Sequence, residues 1–157
     1  MRHQRSFGLW LLLSAVIIVL DQTTKQAIVP FLMARGHALE IAPFFNLVLA
    51  YNKGAAFSFL SDASGWQRWF FSGIAAFASA FIVYLLKTHT AETRFCLALS
   101  LILGGALGNL WDRIALGHVV DFLDFHVAGY HWPAFNVADS AITVGAVLLV
   151  LDSFSKR

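Results

Sequence analysis

Residues 95–111 read FCLALSLILGGALGNLW. No acid or base interrupts the run. Coiled as a helix, it is long and apolar enough to enter the hydrocarbon of a bilayer, which takes about 20 residues to cross. It does not fade out gradually. Asn109 closes it, Asp112 and Arg113 follow at once, and the chain continues IALGHVVDF to Asp121. A membrane span that ends in an amide, a carboxylate and a guanidinium, with a second carboxylate soon after, places costly groups close to lipid. Such groups usually face a protein interior and mark function.

The rest of the chain repeats the apolar theme. Of 157 residues, 59% are hydrophobic and 13% charged, against about 25% charged in ordinary soluble domains. Mean hydropathy is +0.70. Three further runs can span: residues 7–29, FGLWLLLSAVIIVLDQTTKQAIV, closed by Pro30; residues 66–86, WQRWFFSGIAAFASAFIVYLL; and residues 135–154, FNVADSAITVGAVLLVLDSF. The expected fold is an all-α membrane protein, residues 1–157 forming a single membrane domain. Its four transmembrane helices cover about 7–29, 66–86, 95–111 and 135–154, with extracytoplasmic segments at about 30–65 and 112–134. No basic stripe points to nucleic acid, and the net charge of +2 is small. Cys96 is the sole cysteine, so no internal disulfide forms and its place in an apolar run reads as packing. Arg2 and Arg5 ahead of the first apolar run resemble a signal peptide. No small-residue cleavage pattern follows, however, so the run reads as a retained anchor.

Arg2, Arg5, Lys87, Arg94, Lys156 and Arg157 fall on one side of a four-span chain. The positive-inside rule makes that side the cytoplasm, with both termini there. The argument is modest, because Lys25, Arg35, Lys53, Arg68 and Arg113 fall towards the other side. The acids are more lopsided. Glu92 and Asp152 lie near the cytoplasm, whereas Asp21, Glu40, Asp62, Asp112, Asp121, Asp124 and Asp139 lie on or near the outer side. Residues 39–60 are too punctuated by polar residues for a span, they contain β-branched and aromatic residues, and Asn52-Lys53-Gly54 is a turn signal. A small extracytoplasmic β region leaning on the membrane is expected. Trp66, Trp69, Trp111 and Trp132 suit the outer interface.

Each polar group has a plain structural reading beside a functional one. Asp21 and Lys25 are four apart on one helical face and can neutralise each other. Asp112 can pair with neighbouring Arg113 or anchor the interface. Asn136 can cap the fourth helix, with Asp139 a first-turn acid favoured by the helix dipole. Asp121 can be an ordinary loop acid, but its flanks Val119, Val120 and Phe122 suggest a dry setting. Gly104-xxx-Gly108 allows close helix approach just below Asn109. Two aspartates held close cannot both ionise easily, so one keeps a proton. The ionised partner can then take a proton from water while the other hydrogen-bonds a scissile carbonyl. The candidate pair is Asp121, from an extracytoplasmic loop, and Asp139, from a helix start. Spacing alone does not bring them together.

DQTTK (21–25), NKGAAFS (52–58), GGALGNLWDR (104–113), VVDF (119–122) and PAFNVAD (133–139) occur in this order. Together they resemble the lipoprotein signal peptidase (signal peptidase II) family of bacteria over essentially the full chain. The resemblance implies a multi-pass enzyme of the bacterial inner (cytoplasmic) membrane with its active site near the periplasmic side. That enzyme is an aspartic endopeptidase that removes signal peptides from diacylglyceryl-modified prolipoproteins just before the lipidated cysteine. It implies Asp121 and Asp139 as catalytic residues. It implies Asp21, Lys25, Asn52, Gly54, Asn109, Asp112, Arg113, Asn136 and Ala138 as substrate-binding or supporting residues, with Asn52 and Arg113 positioning substrate backbone. It further implies a lid-like periplasmic segment, contact with membrane lipids, inhibition by globomycin, and chemistry with no metal and no cofactor.

Two other readings compete. His118, Asp124, His126 and His131 join Asp121 as potential metal ligands, but the helical HExxH pattern of zinc proteases is missing. The resemblance gives these three histidines and Asp124 no role. A transporter using Asp21, Asp112 and Asp139 as an ion path would need acids through the whole membrane depth, whereas these gather at one end.

Overall fold

A computed structural model describes residues 7–54 and 65–155. Four of its helices are long and apolar enough to cross a membrane: α1 (Phe7–Met33), α2 (Trp66–Thr88), α3 (Thr93–Ala115) and α4 (Val137–Ser155). Between them lie β1 (Ala38–Ala42), β2 (Phe45–Asn52), β3 (Val119–Val127) and β4 (Tyr130–His131). The strands form one antiparallel sheet in the order β1-β2-β3-β4. Residues 55–64, part of the segment at about 30–65 expected to form both sheet and lid, lie outside the described residues, as do Arg2, Arg5, Lys156 and Arg157.

α3 is the central helix. It packs on α1, α2 and α4, and its span is far more buried than the other three. Its glycines explain how. A Cβ on Gly104 would stand 2.6 Å from Ile17 Cβ, and one on Gly108 would stand 2.8 Å from Asp21 Oδ2. Gly104 and Gly108 thus let α1 approach, at the four-residue spacing read in the sequence. Gly105 faces Ala138 and Ile142 of α4, and Gly145 of α4 lies against Ala98 and Ile102. Close backbone approach stands in for the hydrophobic drive that helices lack among lipid tails. α1 contributes one narrow stripe, Trp10, Ser14, Asp21, Lys25 and Leu32, to the interior. Its opposite face, including Leu12 and Val19, is exposed, as a lipid-facing surface requires.

Three boundaries differ from expectation. α1 does not stop at Pro30 but runs through it to Met33. Pro30 removes one donor only about a turn from the helix end. The helix closes beyond it, with Ala34 N–H on Pro30 O (3.2 Å) and His37 N–H on Leu32 O (2.9 Å). α3 runs to Ala115, so Asp112 and Arg113 lie within the helix and not beyond its end. Asp121 lies in strand β3 and not in a loop. VVDFLDFHV becomes a strand by pairing with β2 on one edge and with Phe135 on the other, partners distant in sequence that its own residues do not announce.

The sheet positions the site. β3 pairs with β2 along one edge, Ala50 facing Asp121 and Asn52 facing Val119, past an irregularity between Leu47 and Ala50. Along its other edge the chain returns. Phe122 and Leu123 N–H both reach Phe135 O (3.0 and 2.9 Å), and Phe135 N–H reaches Leu123 O (3.1 Å). That pairing delivers Asn136 and the start of α4 alongside Asp121.

Candidate active site

Asp121 is only 2% exposed. Its carboxylate accepts Asn136 Nδ2–H on Oδ1 (2.8 Å) and Asn52 Nδ2–H on Oδ2 (3.2 Å). Asn52 reaches it because residues two apart along β3 project on the same face, putting Asn52 diagonal to Asp121. Burial is the main cause that pushes the Asp121 carboxyl up to about 7, and the charge of Asp139 adds to it. The amide N–H groups of Asn52 and Asn136, and the Lys25 charge, pull the other way. The local effect is to hold a proton near neutrality, where an ordinary aspartate has none.

Asp139, half-buried in the first turn of α4, accepts Asn109 Nδ2–H on Oδ1 (2.7 Å). Its own backbone N–H bonds Asn136 Oδ1 (2.9 Å). Asn136 therefore caps α4, as its residue type suggested. The same side chain ties the two aspartates together, holding Asp121 by its amide nitrogen and the Asp139 backbone by its oxygen. It is fully buried and also donates to Asn109 Oδ1 (3.1 Å) and Val120 O (3.1 Å).

Beneath the pair lies a buried ionic cluster. Lys25 Nζ stands 2.8 Å from Asp21 Oδ2 and 2.8 Å from Asp112 Oδ2, and donates to Asn109 Oδ1 (3.2 Å). Asp21 Oδ1 accepts Ala138 N–H (3.0 Å), docking α1 onto the start of α4. Asp112 Oδ2 accepts Val120 N–H (3.2 Å), docking α3 onto β3. The possible Asp112–Arg113 pair is not what forms. Successive helical residues point about 100° apart, so Asp112 faces Lys25 and Arg113 turns away. Arg113 donates to Gly54 O (3.2 Å) and Asn109 O (3.3 Å). Gly54 N–H bonds Asn52 Oδ1 (3.0 Å) in a tight turn.

The structure thus brings all eleven sequence-predicted site residues into one connected constellation. It also includes two residues that the sequence reading did not assign to the site. Gln22 Nε2 donates to Asp112 Oδ1 (2.8 Å) and Gly108 O (3.3 Å). Arg68 of α2 donates to Arg113 O (2.7 Å) and Ile114 O (2.8 Å), satisfying carbonyls at the end of α3. Gln22 stood inside a quoted motif, beside Asp21. Arg68 had no signal beyond being a cation at the start of a span.

Asp124 lies three residues beyond Asp121, so it projects from the opposite face of β3. It accepts Asn46 Nδ2–H (3.0 Å) and pairs with His131 (2.9 Å). His126 stacks on His131 with ring centres 4.7 Å apart. Burial pushes the Asp124 carboxyl up, but hydrogen bonds from His131 and Asn46 outweigh it and hold it below the usual range. His118 packs edge-on against Tyr51. Among the described residues, no three His, Cys, Asp or Glu side chains are grouped to hold a metal ion.

A cavity of about 810 Å³ runs between α2, α3 and α4. Asn52, Asn109, Arg113 and Asp139 line its polar end, while Ile74, Ala78, Ile102 and Val144 line the apolar remainder. Ile74 and Val144 line it and are each half exposed, so the cavity is open to the surface on the side of α2 and α4.

Residues 13–155 match the family model described as signal peptidase (SPase) II. The chain is 61% identical over 149 residues to the lipoprotein signal peptidase of Ralstonia nicotianae, covering 95% of this chain and 86% of that one. It is 60% identical over 148 residues to the lipoprotein signal peptidase of Cupriavidus necator, covering 94% and 84%. Two solved structures superpose, both described as a bacterial membrane enzyme determined by the in meso method. The one at 2.3 Å has a TM-score of 0.82 and 32% identity, covering 99% of this chain and 93% of that one. The one at 1.9 Å has a TM-score of 0.83 and 33% identity, covering 100% and 99%.

Proposed function

The chain belongs to the signal peptidase II family, making it a multi-pass bacterial membrane protease that removes signal peptides from prolipoproteins, and from that premise we propose that Asp121 and Asp139 are its catalytic dyad. The observation that carries the proposal is Asn136. It donates to the Asp121 carboxylate at 2.8 Å and accepts the Asp139 backbone N–H at 2.9 Å, so one buried side chain ties both residues together, with Asp139 lining the cavity. The pair holds one proton between them. The ionised carboxylate takes a proton from water, and the water oxygen attacks the scissile carbonyl. The carboxylic acid hydrogen-bonds that carbonyl as charge develops on its oxygen, and the proton gained from water passes to the leaving amine.

The substrate is a diacylglyceryl-modified prolipoprotein cut just before the lipidated cysteine. A cavity apolar over most of its length, open to the surface on the side of α2 and α4 and polar at one end, suits a peptide whose acyl chains stay in lipid. Asn52 and Arg113 position the substrate backbone. Asp21, Lys25, Gly54, Asn109, Asp112, Asn136 and Ala138 support the pair. The enzyme sits in the inner membrane with both termini cytoplasmic and the dyad at the periplasmic side, in contact with membrane lipids and open to globomycin. It acts as one membrane domain without metal or cofactor.

Purified protein in detergent should cleave a diacylglyceryl-modified prolipoprotein, and globomycin should stop it. Asp121→Asn and Asp139→Asn should each remove nearly all turnover while the protein stays folded. A folded variant that keeps its activity would defeat the assignment of that aspartate.

A further inference from the structure

An asparagine presents an acceptor and a donor of almost the same shape, and which one faces a catalytic carboxylate changes the sign of their interaction. Three asparagines meet the proposed dyad here. For each, a separate group able only to donate fixes which way the amide points. Gly54 N–H holds Asn52 Oδ1 (3.0 Å). Asp139 N–H holds Asn136 Oδ1 (2.9 Å). Lys25 Nζ, an ammonium without an acceptor, holds Asn109 Oδ1 (3.2 Å). With the oxygens held, each amide nitrogen turns to a carboxylate: Asn52 and Asn136 to Asp121, Asn109 to Asp139.

The three locks differ in strength of purpose. Two are backbone groups that the fold supplies wherever the turn and the helix form. The third is a side chain on α1 that touches neither aspartate of the pair. Lys25 is 3% exposed and lies between Asp21 and Asp112, so its ammonium cannot swing away without stranding two buried carboxylates. Asn109 Oδ1 also receives Asn136 Nδ2–H (3.1 Å), which leaves Lys25 as the one cationic, one-way donor in the chain of amides. Remove it, and Asn109 Oδ1 keeps only the neutral Asn136 donor, so the amide is held less firmly with its nitrogen on Asp139.

We propose that Lys25 is a positioning residue for the hydrolysis: as the charged one of two donors on Asn109 Oδ1, it holds firm the amide orientation that presents N–H, not C=O, to Asp139. This rests on the dyad reading above. Its role is distinct from balancing charge, and a double-mutant cycle separates the two. The first arm is Lys25→Met with Asp112→Asn, which leaves the cluster's net charge unchanged and Asp21 still bonded to Ala138 N–H and Gln22. The second arm is Asn109→Ala, which removes the amide. The third combines them. All are assayed as detergent-purified protein on a diacylglyceryl-modified prolipoprotein, with thermal unfolding run in parallel.

The expected result is a folded Lys25→Met/Asp112→Asn protein with KM near wild type and kcat lower by about 10- to 100-fold, the range set by a hydrogen bond to a charged group. In the Asn109→Ala background, the same pair of changes should lower kcat less than about 3-fold, because no amide is left to orient. Losses that multiply in the two backgrounds, or unchanged kcat in the folded variant, would overturn the proposal. Should that variant not fold, adding Asp21→Asn removes the last buried charge and the cycle is repeated. Failure of both to fold would make Lys25 a purely structural residue and also overturn it. Asp139→Asn on the wild-type background tests the dyad reading by itself, so the two failures are told apart.

Discussion

Asp121→Asn should make the protein more stable above neutral pH while destroying its activity. The Asp121 carboxyl releases its proton at about 7 instead of the ordinary 3.8, because burial and the nearby Asp139 charge disfavour ionisation. Below about 3.8 the group is protonated in both folded and unfolded chains and costs nothing. Between the two values the unfolded chain ionises and the folded one resists, so stability falls as pH rises. Above about 7 both are ionised and the loss levels off at about 4 kcal/mol, taking 1.36 kcal/mol for each pH decade. An asparagine escapes that loss. It has its own cost, since Asn52 and Asn136 aim N–H groups at both carboxylate oxygens, and one of them must meet the new NH2 group, at about 1–3 kcal/mol. The two effects predict crossing curves. The variant should be less stable than wild type near pH 4 and more stable, by about 1–3 kcal/mol, at pH 8. For a chain of this size that is a rise of roughly 2–10 °C in unfolding midpoint. Tryptophan fluorescence during heating, in one detergent across pH 4 to 8, measures it. A stability difference that stays constant with pH would refute the reasoning, whatever its sign, because only the ionisation of Asp121 makes it vary.

Other outcomes follow from the same contacts. If the proposed dyad shares one proton, the cleavage rate should fall as pH rises through about 7, where the second ionisation takes that proton away; a flat profile to pH 9 would speak against it. Gly105→Ala should cost about 1–3 kcal/mol, because its Cβ would stand 2.7 Å from Ile142 Cγ1 and collide with the Ala138 carbonyl. Gly73→Ala, with nothing within 4 Å, should be neutral or slightly stabilising; thermal unfolding of both checks the contrast. Asp124→Asn should leave cleavage at the wild-type rate and cost about 1 kcal/mol in stability, since Asp124 serves Asn46 and His131 across the sheet from the proposed dyad.

Much of the candidate site was legible because its motifs are dense and ordered, and because an acid in an apolar run is conspicuous. Asn136 was readable as a cap, and Asp21–Lys25 as a pair, since both follow from spacing along one helix. Asp112 was not. Its choice of Lys25 over adjacent Arg113 depends on α1 lying against that face of α3, which Gly104 and Gly108 permit but do not specify. Arg68 was illegible for the same reason: its partners are backbone carbonyls some 45 residues away.

The sequence by itself determined the four spans and the gathering of acids towards one end. Hydropathy is a sum over neighbours in the chain, and lipid enforces it segment by segment. Only the tertiary structure decided that α1 continues past Pro30, that Asp121 stands on a strand, and that the return of Phe135 along β3 brings Asn136 between Asp121 and Asp139. It also decided which way three amides point. These are choices among partners of equal local merit, and a hydrogen bond is settled by where distant backbone places the donor, which no window of neighbouring residues contains.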